Sequence, residues 1–305
     1  MRLCVKIPAK GGHKLMRIRE DNSNLVIEDV TDFELTDVFD CGQCFRWERV
    51  GDNSYEGVAL GKALLIEKCA DTLILHNTSK EDFDSIWCDY LDLSRDYADI
   101  KKTLSSDSVL KEAIGYGEGI RILRQDTFET LISFIISAGN NIPRIKGIIS
   151  RLCENFGNEI EYMGKKFYTF PTPEKISSLT LDELSVIRAG FRDKFILSAA
   201  KAVSDGTFSI KAVKEMSAQD AKTALMKLPG VGDKVSDCIL LFGLAKYDSF
   251  PIDVWIKRIM EYCYFDKVEQ KREIISEFAA NRYGEYGGFA QQYLFFWARE
   301  NKIGV

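Results

Sequence analysis

Leu228-Pro229-Gly230-Val231-Gly232-Asp233-Lys234 decides the fold, because this stretch joins two segments with helical periodicity. Glycine at two positions of a tight turn lets the backbone come close to another molecule. The helix that begins at the turn presents unpaired N–H groups and the positive end of its dipole. These groups bind an anion, such as a phosphate, without a basic side chain. We therefore expect two helices joined by an anion-binding hairpin over about 217–246.

Lys234 ends the hairpin, and Asp253 follows farther along the chain, after Pro251. A lysine amine in such a turn can act as a nucleophile. A carboxylate can stabilise positive charge that develops on a reacting carbon. Lys234 could instead be a solvated helix residue, and Asp253 could only cap the following helix. The hairpin position favours catalysis for Lys234, and we expect Asp253 to be both a cap and a catalytic carboxylate.

The formal net charge of −5 argues against a broad basic surface for nucleic acid. Six of the basic side chains fall within residues 1–20, so the rest of the chain is more acidic still. A nucleic-acid partner must then be held by local devices such as helix N-termini, backbone amides and a few arginines. We expect residues 1–20 to be a flexible basic leader or an expression remnant, rather than a DNA-binding arm.

Two further compositional features bear on location and cofactors. No apolar run approaches the roughly 20 residues that span a bilayer, and the first twenty residues lack the apolar core of a secretory signal. We therefore expect an intracellular protein without a membrane partner. Of eight cysteines, only Cys41 and Cys44 form a C-x-x-C pair, and nothing nearby completes a zinc site. Free thiols are expected, and no metal or organic cofactor is implied.

The pattern along the chain predicts an α+β fold. Residues 25–80 contain short runs typical of strands, at 45–47, 55–58, 64–66 and 72–75, and turn residues separate them. Helical periodicity begins near Lys80, and Asp126 followed by Glu129 predicts the start of a buried helix over 128–138. We expect a small antiparallel β-rich domain over 21–115 with trailing helices, and a larger all-helical body over 116–305.

The hairpin and the Ser249-Phe250-Pro251-Ile252-Asp253 stretch resemble the helix-hairpin-helix (HhH-GPD) superfamily of DNA glycosylases. Three more stretches resemble the 8-oxoguanine DNA glycosylases within it: G-Q-C-F-R-W at 42–47, S-F-I-I-S-A-G-N-N-I-P-R at 133–144 and G-F-A-Q-Q-Y-L-F at 288–295. This resemblance spans about residues 25–300. It implies a TBP-like N-terminal domain, and a DNA phosphate held at Gly230, Gly232 and Val235.

The resemblance also implies the reaction and the base pocket. A bifunctional glycosylase and abasic-site lyase would flip 8-oxoguanine out of duplex DNA, and Lys234 would attack C1′ with Asp253 as the essential carboxylate. The Gly42 carbonyl would accept a hydrogen bond from the protonated N7, whereas the N7 of guanine is itself an acceptor and would be rejected. The remaining pocket residues implied are Cys238 and Phe295 on the two faces of the base, and Gln291 on its Watson–Crick edge.

On the opposite strand, the resemblance assigns Asn141, Arg144 and Arg192 to the orphaned cytosine and Phe191 to the wedge at the lesion. Two arginines that donate to cytosine would favour it over adenine, although both arginines could simply contact phosphate. The expected partner is therefore duplex DNA with 8-oxoguanine, preferably opposite cytosine, and the protein is expected to act as a monomer. We expect it to be DNA-associated, in the cytoplasm or nucleoid of a bacterium or archaeon or in a eukaryotic nucleus.

Two departures and two alternatives stay open. Gly139 replaces a family asparagine, which could loosen the choice of opposite base, and Trp255 replaces a histidine that contacts phosphate. A glycosylase for another oxidised base, or for adenine opposite 8-oxoguanine, is the nearest alternative. Many such relatives hold an iron–sulfur cluster on four C-terminal cysteines, and this chain has only Cys263 in that region. A non-enzymatic helix-hairpin-helix DNA-binding module is the second alternative.

Overall fold

An antiparallel sheet occupies the first part of the chain in the computed structural model, which describes residues 2–6 and 15–303. Its seven strands lie in the order β1-β2-β3-β7-β6-β5-β4. The strands are β1 (Arg2–Lys6), β2 (Leu15–Asp21), β3 (Asn24–Glu28), β4 (Trp47–Gly51), β5 (Ser54–Ala59), β6 (Lys62–Cys69) and β7 (Thr72–Leu75). Strands β4 to β7 form the expected meander, and β3 pairs with β7 through Ile27 and Leu73.

The prediction of a flexible leader is wrong for residues 2–6 and 15–20, which form β1 and most of β2. Met16 and Ile18 are buried on one face of the sheet, and the arginines between and after them lie on the other. This alternation is the period of a strand, and the basic composition of the segment concealed it. Strand β1 pairs with β2, and residues 1 and 7–14 of the leader lie outside the described residues.

Helices make up most of the chain after residue 80, as predicted. One helix, α1 (Leu35–Phe39), lies earlier, between β3 and β4. The later helices are α2 (Lys80–Asp82), α3 (Cys88–Tyr90), α4 (Tyr97–Leu104), α5 (Ser108–Tyr116), α6 (Thr127–Ser137), α7 (Ile142–Phe156), α8 (Pro173–Ser177), α9 (Leu181–Leu184), α10 (Asp193–Ser204), α11 (Ile210–Glu215), α12 (Ala218–Leu225), α13 (Asp233–Gly243), α14 (Val254–Tyr264), α15 (Arg272–Tyr283) and α16 (Gly287–Asn301). The α+β class is therefore confirmed. No helix among the described residues has the length and apolar character needed to cross a membrane.

The body is not wholly helical, because β8 (Glu159–Tyr162) and β9 (Lys165–Tyr168) form a separate hairpin. Its turn residues Met163 and Gly164 both have positive φ, at 51° and 73°, as a two-residue hairpin turn requires. The Tyr162 hydroxyl accepts a hydrogen bond from the Leu65 N–H at 3.0 Å and donates to the His76 carbonyl. The hairpin therefore ties the helical body to β6, an inner strand of the sheet, and to the residue that follows β7.

Two hydrophobic cores follow from this arrangement. One lies under the sheet and draws on residues 16–93 together with Leu123. The other fills the helical body and also takes in α4 and α5, the trailing helices that we assigned to the N-terminal domain. The boundary after residue 115 stays a prediction, although the side chains of α4 and α5 pack with the body.

Helix α6 is the centre of the body, as predicted, since all its residues except Glu129 are buried. Asp126 caps it by accepting a hydrogen bond from the Glu129 N–H at 2.8 Å. The Glu129 carboxylate does not complete a capping box but pairs with Arg46 at 3.2 Å. Thr127 binds the Gly243 carbonyl at 2.7 Å, which fixes the end of α13 against the start of α6.

Candidate active site

The turn between α12 and α13 has the form of the predicted anion-binding hairpin. Gly230 has φ +86°, and a Cβ there would lie 2.8 Å from Phe195, so the fold itself requires glycine at this position. Gly232 has an ordinary extended backbone, and a Cβ there would meet no described atom within 4 Å. The fold therefore does not need glycine at 232, and the absent side chain leaves the backbone open to an outside molecule.

Gly232 is also the N-cap of α13 and has no side chain with which to cap it. The first helical backbone bond runs from the Ser236 N–H to the Gly232 carbonyl at 2.9 Å. The N–H groups of Asp233, Lys234 and Val235 precede that bond, so they belong to the first turn, where helix donors lack carbonyl partners. The Val235 side chain is buried, so what this residue can offer DNA is its backbone.

Lys222 forms ion pairs with two carboxylates next to the hairpin. Its ammonium lies 2.9 Å from the carboxylates of both Asp233 and Asp237. Burial raises the pKa of Asp237 to about 6, and the Lys222 charge opposes that rise. The approach of a phosphate to the hairpin therefore meets less negative charge than the sequence suggests.

Lys234 projects from the first turn of α13 towards the centre of the body. Its Nζ lies 5.1 Å from the centre of the Phe134 ring, an aromatic residue of α6. Cys238 lies one turn farther along α13 and is buried. Burial raises the pKa of the Cys238 thiol to about 11, and the neighbouring Lys234 opposes this rise. Cys238 is thus a neutral, polarizable thiol beside the candidate nucleophile.

Asp253 is the N-cap of α14, as predicted, and its Oδ1 accepts a hydrogen bond from the Ile256 N–H at 2.8 Å. Burial raises the pKa of Asp253 above the ordinary aspartate value. The Ile256 N–H and the charges of Lys234 and Arg272 all oppose that rise. The cap fixes the carboxylate in one orientation at the pocket.

One pocket brings together both candidate catalytic residues and all four predicted base-pocket residues. Its lining is Cys41, Gly42, Phe134, Lys234, Cys238, Phe242, Pro251, Asp253, Gln291, Gln292 and Phe295. Sequence reasoning missed Phe134 and Phe242, which stack at a centroid distance of 5.4 Å. Both looked like core residues, and no local signal distinguishes a ring on a pocket wall from a ring in a core.

Gly42 owes its position to Gln43, a third residue whose role sequence reasoning missed. Gln43 is fully buried and donates to the carbonyls of Val38 and Arg121 at 2.8 and 2.7 Å. Its Oε1 accepts from the Leu123 N–H at 2.8 Å. Every polar group of this side chain is thus used to hold the loop, which explains why the G-Q-C-F-R-W stretch has glutamine after the glycine.

Arg299 clamps the loop from the other side. Its Nη2 donates to the Asp40 carbonyl at 2.7 Å, and its guanidinium lies 5.5 Å from the centre of the Phe295 ring. Since Arg299 and Phe295 are one turn apart on α16, one side chain fixes both the ring and the loop that it faces. Arg299 therefore contacts both walls of the pocket.

A groove continues from this pocket across the surface. It is lined by Ser137, Ala138, Gly139, Asn140, Asn141, Arg144, Lys234, Val235, Asp253, Val254, Trp255 and Arg272. Asn141 caps α7 by accepting from the Arg144 N–H at 3.0 Å, and Arg144 itself is exposed. Two of the residues predicted for the opposite base thus share a groove with the candidate catalytic pair.

Phe191 and Arg192 differ in their exposure to solvent. Phe191 is 64% exposed, which is unusual for an aromatic ring and suits a wedge. Arg192 is buried and donates to the carbonyls of Ala138, Gly139 and Ala189. Its guanidinium therefore supports the turn before Asn141 in this structure, and direct contact with an orphaned base stays a prediction.

The two departures from the family pattern both lie in this groove. Gly139 has φ +61°, a conformation that asparagine tolerates better than other side chains, so the turn keeps its shape with either residue. Trp255 lies in the first turn of α14, close to Arg272. Arg272 was not predicted; its Nη1 donates to the Ile252 carbonyl at 2.8 Å, which places a cation beside Asp253.

Comparison with known proteins places these features in context. Residues 25–131 match the family model "8-oxoguanine DNA glycosylase, N-terminal domain", and residues 132–282 match "HhH-GPD superfamily base excision DNA repair protein". The N-glycosylase/DNA lyase OGG1 of Arabidopsis thaliana is 30% identical over 283 residues, which cover 87% of this chain and 77% of that protein. A probable N-glycosylase/DNA lyase of Methanothermobacter thermautotrophicus is 31% identical over 66% of this chain and 70% of its own length.

Solved structures agree with the sequence relatives. An 8-oxoguanine glycosylase/lyase of Clostridium acetobutylicum, in complex with duplex DNA that has cytosine opposite 8-oxoguanine, matches with a TM-score of 0.91 and 42% identity. The match covers 94% of this chain and 98% of that chain. A structure described as MBOgg1 in complex with a low-affinity DNA ligand matches with a TM-score of 0.92 and 47% identity, over 94% and 99% of the two chains.

Proposed function

We propose a mechanism from the premise that this chain belongs to the HhH-GPD superfamily of base excision DNA repair proteins, as an 8-oxoguanine DNA glycosylase with lyase activity. Its partner is DNA. The observation that carries the mechanism is the shared pocket, in which Lys234 and Asp253 lie with Gly42, Cys238 and Phe295. A flipped base would enter this pocket and bring its C1′ atom to the mouth where the lysine and the aspartate meet.

The base is held between the Cys238 thiol and the Phe295 ring. The Gly42 carbonyl accepts the hydrogen on N7, which guanine lacks, and Gln291 binds the opposite edge. Because Cys238 keeps its proton, no thiolate charge repels the electron-rich face of the oxidised purine. Recognition of the base then depends on the loop that carries Gly42 and on α16, which Arg299 joins through its hydrogen bond to the Asp40 carbonyl.

The reaction proceeds in two steps. The Lys234 amine forms a bond to C1′ as the bond from C1′ to N9 of the base breaks, and the departing base takes up a proton from solvent. Asp253 stabilises the positive charge on the sugar, and it accepts a proton from the attacking amine. The bond from C1′ to O4′ then breaks as O4′ takes the proton from Asp253, which opens the sugar ring to a Schiff base. Loss of a proton from C2′ to solvent expels the 3′-phosphate and nicks the strand.

Duplex binding rests on the hairpin and the groove. The first-turn amides of α13 hold a phosphate of the damaged strand. Phe191 fills the stack, while Asn141 and Arg144 face the orphaned base, supported from behind by Arg192. We propose cytosine as the preferred opposite base because arginine donors match its acceptors. One pocket accommodates one flipped base, and we therefore propose that the protein acts on DNA as a monomer.

Borohydride trapping tests the mechanism. Wild-type protein is incubated with duplexes that contain 8-oxoguanine, guanine or thymine glycol opposite cytosine, and the covalent complex is measured. We expect trapping with 8-oxoguanine alone and its loss in Lys234→Gln, whereas Lys211→Gln, an exposed lysine of α11, traps normally. Base release without trapping would mean that Lys234 is not the nucleophile. DNA binding without reaction on any lesion would favour the binding module.

A further inference from the structure

Two adjacent glutamines of α16, Gln291 and Gln292, are both buried and both line the base pocket. Neighbouring residues of a helix point about 100° apart, so they seldom serve one site. Gln291 is the residue already expected to read the base. Gln292 has no role in the mechanism so far, although its amide lies in the same pocket.

The two amides are joined by a hydrogen bond. Gln292 Nε2 donates to Gln291 Oε1 at 2.7 Å. This bond occupies the Gln291 oxygen and leaves the Gln291 NH₂ group to face other partners. Gln292 Oε1 is buried and has no hydrogen-bond partner among the described residues. A buried acceptor without a donor is costly, and in a ligand pocket it is satisfied when the ligand supplies that donor.

We infer that Gln292 is a specificity-determining residue that reads the Watson–Crick edge of the flipped base together with Gln291. The inference rests on the proposed function. Guanine-type bases present an acceptor, O6, next to a donor, N1–H, with a second donor on the 2-amino group. The amide pair offers the matching set, a donor from Gln291 and the free acceptor of Gln292. An adenine-type edge has a donor at position 6 and an acceptor at N1, so it opposes the pair at both points.

Two parts of the pocket therefore make two different discriminations between bases. Gly42 lies on the side of the pocket that meets the N7–H and distinguishes an oxidised purine from a normal one. The glutamine pair distinguishes guanine from adenine. The pocket therefore rejects 8-oxoadenine, which carries the same N7–H and C8 oxygen as 8-oxoguanine and would satisfy Gly42 equally well.

Single-turnover base release from 8-oxoguanine and 8-oxoadenine duplexes tests the inference. Gln292→Met keeps the size of the side chain and removes both polar groups. We expect kcat/KM for 8-oxoguanine to fall on the order of tenfold or more, as for a lost buried hydrogen bond, and the preference over 8-oxoadenine to fall with it. Strand cleavage at a preformed abasic site should not change, because that substrate has no base.

Gln292→Glu is the second variant, and it keeps an acceptor in place. It should retain more of the preference than Gln292→Met, even if its overall rate is lower. Normal wild-type release with unchanged discrimination in both variants would overturn the inference and leave the proposed function standing. Loss of abasic-site cleavage in both variants would show that Gln292 only supports the fold, which also overturns it. Failure of the wild-type protein to release 8-oxoguanine would remove the proposed function first.

Discussion

A Cβ atom built on Gly42 would lie 3.3 Å from Cε1 of Phe295, although the two residues come from opposite ends of the chain. The loop and the ring therefore leave little room for a side chain at position 42. Gly42 also has φ +83°, which side chains rarely adopt. Both facts make this glycine the most sensitive point of the pocket.

Gly42→Ala should separate the two activities. The added methyl group pushes Phe295 and costs about 1 kcal/mol in backbone strain. We expect excision of 8-oxoguanine to fall by about tenfold or more, the effect of some 1.4 kcal/mol at the transition state. Cleavage of a preformed abasic site should continue, since no base must fit. Equal loss of both activities, measured side by side on the two duplexes, would mean that the change acts on the fold and not on the pocket.

Asp253→Asn should remove activity and keep stability. Asparagine caps a helix about as well as aspartate, so the bond to the Ile256 N–H is retained. Release of 8-oxoguanine should fall on the order of 100-fold or more, because an amide cannot stabilise the sugar cation. Single-turnover kinetics measure this. Substantial base release by Asp253→Asn would remove the carboxylate from the mechanism.

The raised pKa of Asp253 sets the pH dependence of that comparison. Burial makes the folded pKa higher than the unfolded one, so its stabilising contribution is present below the unfolded pKa and is lost as pH rises through the folded pKa. Wild type loses this contribution as the Asp253 carboxyl ionises, and Asp253→Asn has no ionisable group at this position. The variant should therefore melt at the same temperature as wild type or higher at pH 7, and this advantage should shrink in acid. A clearly lower Tm of the variant at pH 7 would contradict the assignment.

The two hairpin glycines should respond differently to alanine. Gly232→Ala should cost less than about 1 kcal/mol of stability, because its backbone is ordinary and its Cβ has room. DNA affinity should still fall on the order of tenfold, since the methyl group stands before the helix amides. Gly230→Ala should instead destabilise the protein by about 1–3 kcal/mol, through its φ of +86° and the contact with Phe195. Melting curves and anisotropy with an abasic-analogue duplex measure the two effects.

Gly139→Asn should tighten the choice of the opposite base. Asparagine tolerates the φ of +61°, and the Cβ would meet only Arg192, at 3.8 Å. The restored amide can fill space beside the orphaned base, so the preference for cytosine over adenine should increase several-fold, consistent with about 1 kcal/mol per base contact. Gly139→Ala is the matched control without an amide. An identical preference in wild type and Gly139→Asn would mean that this turn does not sense the opposite base.

Features that short-range chemistry determines could be predicted from the sequence. The hairpin, the Asp126 cap, the Asp253 cap and the sheet followed by helices all depend on residues a few positions apart. The four predicted pocket residues and Asp253 were brought together by the fold, although their roles rested on resemblance. The prediction for residues 15–20 was wrong because the charged residues of this segment concealed the alternating burial of Met16 and Ile18.

What could not be predicted depends on contacts between distant segments. Gln43 reads as a polar loop residue until the carbonyls of Val38 and Arg121 surround it. Arg192 was assigned to a base, yet its donors bind carbonyls of a turn more than fifty positions earlier in the chain. The β8–β9 hairpin is rich in lysine and glutamate, and its place on the sheet depends on Tyr162. No local pattern contains these partners.

The phosphate site that we propose at the hairpin consists of main-chain amides, on a chain whose net charge is negative. Such binding displaces few of the cations that surround DNA, so attachment to intact duplex gains little from counterion release. We expect the protein to leave undamaged DNA quickly and to respond weakly to ionic strength. Its search for lesions would then consist of many brief collisions from solution, with little travel along any one DNA molecule.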